Sequence, residues 1–481
     1  MSLDPRICYR ALTARDARFD GRFFVAVSST RIYCRPVCTV KPPKRENCTF
    51  FPSAAAAEAN GYRPCLRCRP ELAPGNASVD ATTRLAQAAA SLIEDGTLAD
   101  GGLDALAGRL GITDRHLRRA FGAEFGVSPV EFAQTQRLLL AKRLLTDTAL
   151  PVTDVAFASG FNSVRRFNAL FSERYRLRPG DLRRQQRQAE GASDVLELEL
   201  AFRPPFDWSA MLSFLGARAI AGVEAVDDGV YRRTVRIESG GKEHTGWIAV
   251  AMSAKKPTLR VTVAASLARA VPPVISRVKS LMDLACQPAE VAKALGTLGK
   301  RHAGLRVPGA FDGFELAVRA ILGQQVTVAG ASTLAGRFAA AFGDRIDTPF
   351  ETLATLFPTA ARIAEAAPTR IAGAVGMPAA RARSIAALAR AVADGELALA
   401  PNADVESTLA ALRALPGVGE WTAQYVAMRA LSWPDAFPHI DLALMKALGE
   451  TDAKRVLAAG EAWRPWRAYA VMHLWQSLVK E

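Results

Sequence analysis

Two stretches of this 481-residue chain carry residue types at spacings that can do chemistry. In the first, three residues separate Cys34 from Cys38, two separate Cys65 from Cys68, and 26 lie between the pairs. Two close pairs of soft ligands suit one tetrahedral Zn²⁺, which holds each thiolate deprotonated. A site with four protein ligands is closed and as a rule only staples a small fold. A metal-held thiolate is nonetheless a soft nucleophile, suited to attack on a methyl carbon. The second stretch opens with Leu415-Pro416-Gly417-Val418-Gly419, continues through Trp421-Thr422-Ala423 and reaches a lone acid, Asp441. Two glycines around one apolar residue allow a tight turn between helices whose backbone N–H groups face a phosphate. Asp441 follows Pro438-His439-Ile440 and, taken alone, reads as a helix cap.

Composition narrows the setting. Half of the residues are hydrophobic, and the length suits three or four domains of roughly 100–200 residues each. The net charge is +14, and residues 1–70 hold 13 Lys and Arg against 5 Asp and Glu. That excess, mostly Arg, suits bidentate contacts to phosphate and is compatible with a nucleic-acid partner, though a basic protein can simply be a soluble one; double-stranded DNA is the partner that the motifs below imply. No run of about 18 apolar residues stands out, so no membrane partner is expected. Met1 to Arg6 has no apolar core behind it, so no signal peptide is expected and the location expected is cytoplasmic. In that compartment close cysteine pairs favour metal over disulfides; Cys8, Cys48 and Cys286 are scattered.

The elements that must position these residues fall into four segments: 1–74, 78–188, 194–290 and 291–481. After Pro74-Gly75-Asn76, Ala- and Leu-rich helical spacing begins near Ala81. Two similar units follow, in each of which a small Ala precedes a Gly by four residues (Ala107 and Gly111, Ala156 and Gly160) and an Arg-rich helix comes next. The small residue lets two helices approach and the Gly makes the turn, leaving the second helix for the major groove. Arg115, Arg118, Arg119, Arg165 and Arg166 are the candidate base or phosphate readers. Six Arg from Arg174 to Arg187 form a basic tail expected on phosphate. After Gly191-Ala192-Ser193, alternation predicts strands at Leu196–Leu200, Tyr231–Ile237, Trp247–Met252 and Thr258–Ala264, a small β-rich α+β unit. From Phe311 onward amphipathic segments predict an all-helical unit. The fold class is multidomain and mainly α with α+β parts.

Several motifs resemble known families. Asp20-Gly21-Arg22-Phe23-Phe24, Ser29 to Cys38, Asn47-Cys48-Thr49-Phe50-Phe51 and Gly61 to Cys68 resemble the zinc domain of the adaptive-response (Ada) proteins. That resemblance implies that Cys34, Cys38, Cys65 and Cys68 bind Zn²⁺ and that Cys34 irreversibly accepts a methyl group from a DNA methylphosphotriester. Thr39-Val40-Lys41 departs from the family's usual Pro-Ala-Arg without touching a ligand. The tandem units joined by a long helix from Pro129 to about Thr146, with Gly126-Val127-Ser128-Pro129 and Leu177-Arg178-Pro179, resemble the AraC-type DNA-binding domain. A transcription activator of this kind implies RNA polymerase as a partner. The Pro-Cys-His-Arg motif of the second methyltransferase that normally follows is missing from the chain.

In its place, Arg203 to Ser209, Arg319 to Val326, Leu415 to Ala423, Trp463 to Arg467 and His473-Leu474-Trp475 resemble AlkA-type 3-methyladenine DNA glycosylases of the helix-hairpin-helix superfamily. The resemblance implies Asp441 as the catalytic acid, stabilising the positive charge that builds on deoxyribose as the glycosidic bond breaks. It matches Phe214, Trp421, Tyr425 and Trp475 to the pocket aromatics that receive a flipped base. In bifunctional relatives the position of Trp421 is Lys; Trp forms no Schiff base, so a monofunctional enzyme with water as nucleophile is expected. Gln325 stands where the family carries an apolar wedge, which puts that role in doubt. Gly417 and Gly419 are expected to hold phosphate, with a monovalent cation at the hairpin. Two rival readings stand beside this one: a regulator whose carboxy-terminal half binds DNA without catalysis, and a glycosylase whose zinc domain is a passive clamp.

Overall fold

A computed structural model describes residues 4–75, 81–94, 97–148, 150–184, 194–401 and 403–479. The segments expected as linkers at Asn76 and at Gly191-Ala192-Ser193 lie outside these residues, as does Arg187. No described helix is long and apolar enough to cross a membrane.

The amino-terminal unit is a four-stranded sheet in the order β3-β1-β2-β4, formed by β1 (Phe24–Val27), β2 (Ile32–Cys34), β3 (Cys48–Phe51) and β4 (Arg63–Pro64). The strands are two to four residues long. A helix, Ala54–Ala59, closes one face, capped by Ser53, whose hydroxyl accepts from the Ala56 N–H at 3.0 Å. So small a sheet buries little apolar area, which is why a cross-link matters here.

Both tandem units fold as their spacing predicts. In the first, the helical segment Thr97–Arg109, broken at Gly102 (φ +71°), leads through Gly111 (φ +66°) to helix Asp114–Phe125; in the second, helix Val152–Ala158 leads through Gly160 (φ +81°) to helix Val164–Tyr175. The same bond closes each turn, Ile112 N–H to Ala107 C=O and Phe161 N–H to Ala156 C=O, both at 3.1 Å. Thr113 and Ser163 cap the second helices, accepting from the N–H groups of His116 and Arg166. Leu117, Phe121, Phe167 and Phe171 are buried, which fixes the opposite faces outward. The long helix between the units, Pro129–Asp147, opens on a Ser128–Glu131 capping box.

The next unit is an antiparallel five-stranded sheet in the order β5-β9-β8-β7-β6, built from β5 (Val195–Ala201), β6 (Glu224–Asp227), β7 (Val230–Ser239), β8 (Lys242–Met252) and β9 (Thr258–Ala264). Leu196, Leu198 and Leu200 point into the core while Glu197 and Glu199 point away, the alternation of a half-buried strand. The sequence pattern missed β6, whose single apolar alternation is too short to register. The remaining unit is helical except for a two-residue pair, β10 (Asp344–Arg345) with β11 (Thr355–Leu356), which corrects the all-helical expectation. A buried charge network joins this unit to the sheet: Arg233 meets Glu315 at 2.7 Å, and Arg319 meets Glu224 at 2.8 Å.

The sequence did not foretell how the first three units join. Glu58 is buried and accepts from three hydroxyls, Tyr33 (3.0 Å) on β2, Tyr175 (3.2 Å) and Thr135 (3.2 Å), the latter two from the helix-turn-helix unit. Burial pushes its carboxyl up to about 7, with the three hydroxyls and Arg174 pulling the other way. Just past Cys68, Arg69 and Glu71 grip the long helix through Asp147 (2.7 Å) and Lys142 (2.6 Å). Leu138, Leu144, Phe167 and Phe171 then share one apolar core with Leu198, Ile248 and Val261 of the larger sheet.

Candidate functional sites

The cysteine site forms where two strands end side by side. Cys34 is the last residue of β2, and Cys65 follows β4, its N–H bonded to the Tyr33 carbonyl at 3.0 Å. A turn closed by Cys38 N–H to Arg35 C=O (3.1 Å) folds the second member of the first pair back. The sulfurs of Cys34, Cys38, Cys65 and Cys68 all lie within 4.8 Å of one another. Four thiolates about 2.3 Å from one tetrahedral Zn²⁺ require that crowding, so the residues fit the metal. The Arg35 N–H points at Cys68 Sγ (3.3 Å), and its buried guanidinium pairs with Asp20 and donates to the Cys68 carbonyl at 3.2 Å. Cys34 and Cys65 are each 7% exposed while Cys68 is half-buried, so exposure alone does not single out Cys34. Cys8, Cys48 and Cys286 are buried elsewhere.

The five candidate Arg side chains are exposed on the second helices of the two units, where a major groove can reach them. Arg118 also pairs with Asp114 one turn earlier at 2.9 Å, and Arg119 lies 3.3 Å from the His116 ring.

The third site is built on the hairpin. Helix Val405–Ala414 ends at Leu415, and helix Glu420–Arg429 begins after Gly419. Gly417 has φ +73°, a backbone conformation that L side chains rarely adopt, and a Cβ there would stand 2.4 Å from Ser384 Oγ and require that hydroxyl to turn away, so glycine is favoured. Gly419 is different: its φ is −95°, and a Cβ on it would meet nothing within 4 Å. Its lack of a side chain leaves room for an external group rather than relieving strain. Gln324 ties the neighbouring loop to this hairpin, donating from Nε2 to the Gly417 carbonyl (2.9 Å) and to Thr422 Oγ1 (3.0 Å). The next residue, Gln325, is exposed at φ +57°.

Asp441 is the cap of helix Leu442–Leu448, as its local sequence suggested, accepting from the Leu444 N–H at 3.0 Å. It also accepts from two indoles, Trp421 Nε1 at 2.6 Å and Trp475 Nε1 at 3.1 Å. Three donors from three elements hold one carboxylate in place. Trp421 stacks on Tyr425 with centroids 5.1 Å apart and planes within 10°, and Trp475 lies near-parallel to Phe214 at 6.4 Å. The four aromatics therefore meet around the acid, while Trp466 is core.

Two arginines on this wall escaped the sequence reading. Arg218 lies 3.8 Å from the Phe214 ring centroid and Arg429 4.9 Å. Arg429 donates to the Tyr425 hydroxyl at 2.7 Å and to the carbonyls of Pro308 and Gly309. Burial alone would raise the Tyr425 phenol, but Arg429 and Arg218 outweigh it and set it below its ordinary value. No spacing rule marks an Arg folded over a ring on another element.

Four family models match the chain in order: the metal binding domain of Ada (residues 7–71), a helix-turn-helix domain (106–185), the AlkA N-terminal domain (197–312) and the HhH-GPD superfamily base excision DNA repair protein (318–456). A Mycobacterium tuberculosis protein named probable bifunctional transcriptional activator/DNA repair enzyme AlkA is 40% identical over 98% of this chain and 96% of its own length. The Escherichia coli DNA-3-methyladenine glycosylase 2 is 38% identical over 57% of this chain and 95% of its length. The Escherichia coli bifunctional transcriptional activator/DNA repair enzyme Ada is 37% identical over 28% of this chain and 36% of its length.

Proposed function

The chain belongs to the family of bifunctional transcriptional activator/DNA repair enzymes that join an Ada-type metal-binding domain to an AlkA-type glycosylase, and from that premise we propose how its residues divide the work. It is an alkylation-response regulator fused to a DNA glycosylase that excises bases such as 3-methyladenine and 7-methylguanine, with stoichiometric methylphosphotriester repair at the cysteine site. The observation that carries the glycosylase assignment is Asp441, held by two indole N–H groups among aromatics beside the hairpin.

The hairpin N–H groups at Gly417 and Gly419 grip a phosphate, with a monovalent cation at the same turn, and the damaged nucleotide leaves the duplex. Alkylated purines are electron-poor and stack on the open face of Trp421, whose other face Tyr425 covers; each such cation–π contact is worth roughly 0.5–2 kcal/mol. As the C1′–N bond breaks, the electron pair leaves with the base and positive charge grows on the sugar. The Asp441 carboxylate stabilises that charge and orients the water that adds to C1′. Trp421 offers no amine, so no Schiff base forms and the strand stays intact.

Cys34, Cys38, Cys65 and Cys68 would hold a zinc ion, which when bound would keep their sulfurs anionic at neutral pH. Cys34 Sγ then bonds the methyl carbon as the methyl–oxygen ester bond breaks, and the electron pair stays on the phosphodiester oxygen. Methylation removes one negative charge from the cysteine cluster, lowering its repulsion from DNA within a Debye length of about 10 Å. Arg115, Arg118, Arg119, Arg165 and Arg166 read or grip the promoter, and bound RNA polymerase is the partner served.

The test is abasic-site formation in methylated duplex DNA. Base release with no strand break, and no borohydride-trapped adduct, is the expected result. DNA binding without base release would favour the regulator that only binds; a trapped adduct would contradict the water mechanism.

A further inference from the structure

Ten large apolar side chains are exposed among the described residues, and four of them adjoin site residues in the chain: Ile440 and Leu442 on either side of Asp441, Val326 and Val328 just after Gln324 and Gln325. Leu442 stands out at 82% exposed, twice the value of Val326 (40%), Val328 (43%) or Ile440 (40%). It is the first residue of helix Leu442–Leu448, and the helix buries Leu444 instead, so the fold makes no use of its side chain. A lone exposed leucine needs no explanation; one that directly follows the acid of a candidate active site, in a chain segment with a second exposed apolar residue, does.

Its position is set by its neighbour. Consecutive Cα atoms lie about 3.8 Å apart, so the exposed Leu442 side chain starts directly beside the residue that serves the sugar. The other apolar pair follows Gln324, which is bonded to Gly417 and Thr422, so Val326 and Val328 belong to the loop and helix start that this contact ties to the hairpin. Gln325, the residue between Gln324 and Val326, is exposed and polar at a positive φ. An amide pushed between bases gives up apolar contact with the stack. Phosphates and the groove's polar edges offer nothing to a leucine; the faces of bases unstacked by extrusion do.

We propose that Leu442 is an apolar prong that packs against the opened base step of the damaged strand, supplying the contact that Gln325 cannot. The proposal rests on the glycosylase reading above. In it, Asp441 and Leu442 act as adjacent residues with separate tasks, one on the sugar and one on the stack.

The test uses the full chain and one alkylated base placed in a duplex and in the matching single strand, with release measured under single-turnover conditions. Leu442→Ala is expected to lower release from the duplex about tenfold and to lower the duplex-to-single-strand ratio, because only the duplex must be held open. Leu442→Met should restore the ratio. In the Asp441→Asn background, a 2-aminopurine beside the lesion should brighten on binding, and less so with Leu442→Ala added. Thermal unfolding should not change, since the side chain is exposed. A ratio unchanged by Leu442→Ala, or lowered equally by Gln325→Ala, overturns the prong. Wild-type chain that releases no base from either substrate overturns the glycosylase reading and the prong with it.

Discussion

Replacing Asp441 by Asn tests the carboxylate with little change of shape. The oxygen that caps Leu444 N–H is kept in one amide orientation, and the oxygen facing Trp421 Nε1 is then replaced by an NH₂ group. Flipping the amide restores the Trp421 bond but turns the NH₂ towards both Leu444 N–H and Trp475 Nε1, so the unflipped orientation, with one donor left without its acceptor, is favoured. That costs about 1–3 kcal/mol of local stability. The larger effect is on the reaction. A unit negative charge about 4 Å from a full positive charge, at an effective dielectric near 20, is worth about 4 kcal/mol, which corresponds to roughly a thousandfold in rate. Because the charge develops only in the transition state, kcat should fall while binding of undamaged duplex is unchanged. Single-turnover release of 7-methylguanine or 3-methyladenine, with circular dichroism confirming the fold, reads both. A variant within threefold of wild type would refute the role given to this carboxylate.

The junction between zinc and helix-turn-helix units should be pH-sensitive. Glu58 has a folded-state value of about 7 against a usual 4.5, so its contribution is full below pH 4.5 and is lost as pH rises through 7, by about 3 kcal/mol. Hydrogen-exchange protection in β2 and helix Pro129–Asp147, taken relative to the intrinsic exchange rate at each pH, should fall from pH 5 to 8 in wild type, and Glu58→Gln should flatten that slope; an equal slope would contradict it. Arg165→Ala with Arg166→Ala should weaken promoter binding and lower the slope of log affinity against log salt by about 0.9 per lost phosphate contact. An unchanged slope would take these residues off the phosphates. Cys38→Ser should abolish stoichiometric zinc, read by a chromogenic chelator, and loosen the amino-terminal sheet while base release persists. Retention of one zinc per chain would exclude Cys38 as a ligand.

Much of this architecture was legible because it is local. Cysteine spacing, the paired Ala-to-Gly intervals and strand alternation each act within a few residues, and the structure places β9 at Thr258–Ala264 as the alternation implied. Asp441 was legible twice, as cap and as candidate acid, and the structure makes it the cap while bringing two indoles to it. Those indoles lie 20 and 34 residues away, so their aim depends on helix packing that no spacing rule encodes. The same holds for Arg218 and Arg429 over Phe214. The Glu58 and Glu71 junctions were invisible for another reason: an acid in a short Ala-rich helix, as Glu58 is, or in the three-residue turn Pro70–Leu72, as Glu71 is, looks like a solvated one until its partners, up to 117 residues away, are in place.

The central claim is that one chain carries two chemistries on the same kind of damage, at Cys34 and at Asp441. The most direct measurement exposes the full-length protein to methylated duplex DNA, then follows released bases by chromatography and the protein by mass spectrometry with fragmentation. The account predicts free 3-methyladenine and 7-methylguanine, and one added methyl group on Cys34 rather than on Cys38, Cys65 or the more exposed Cys68. Base release with no methylated cysteine, or a methyl group on Cys68, would contradict it.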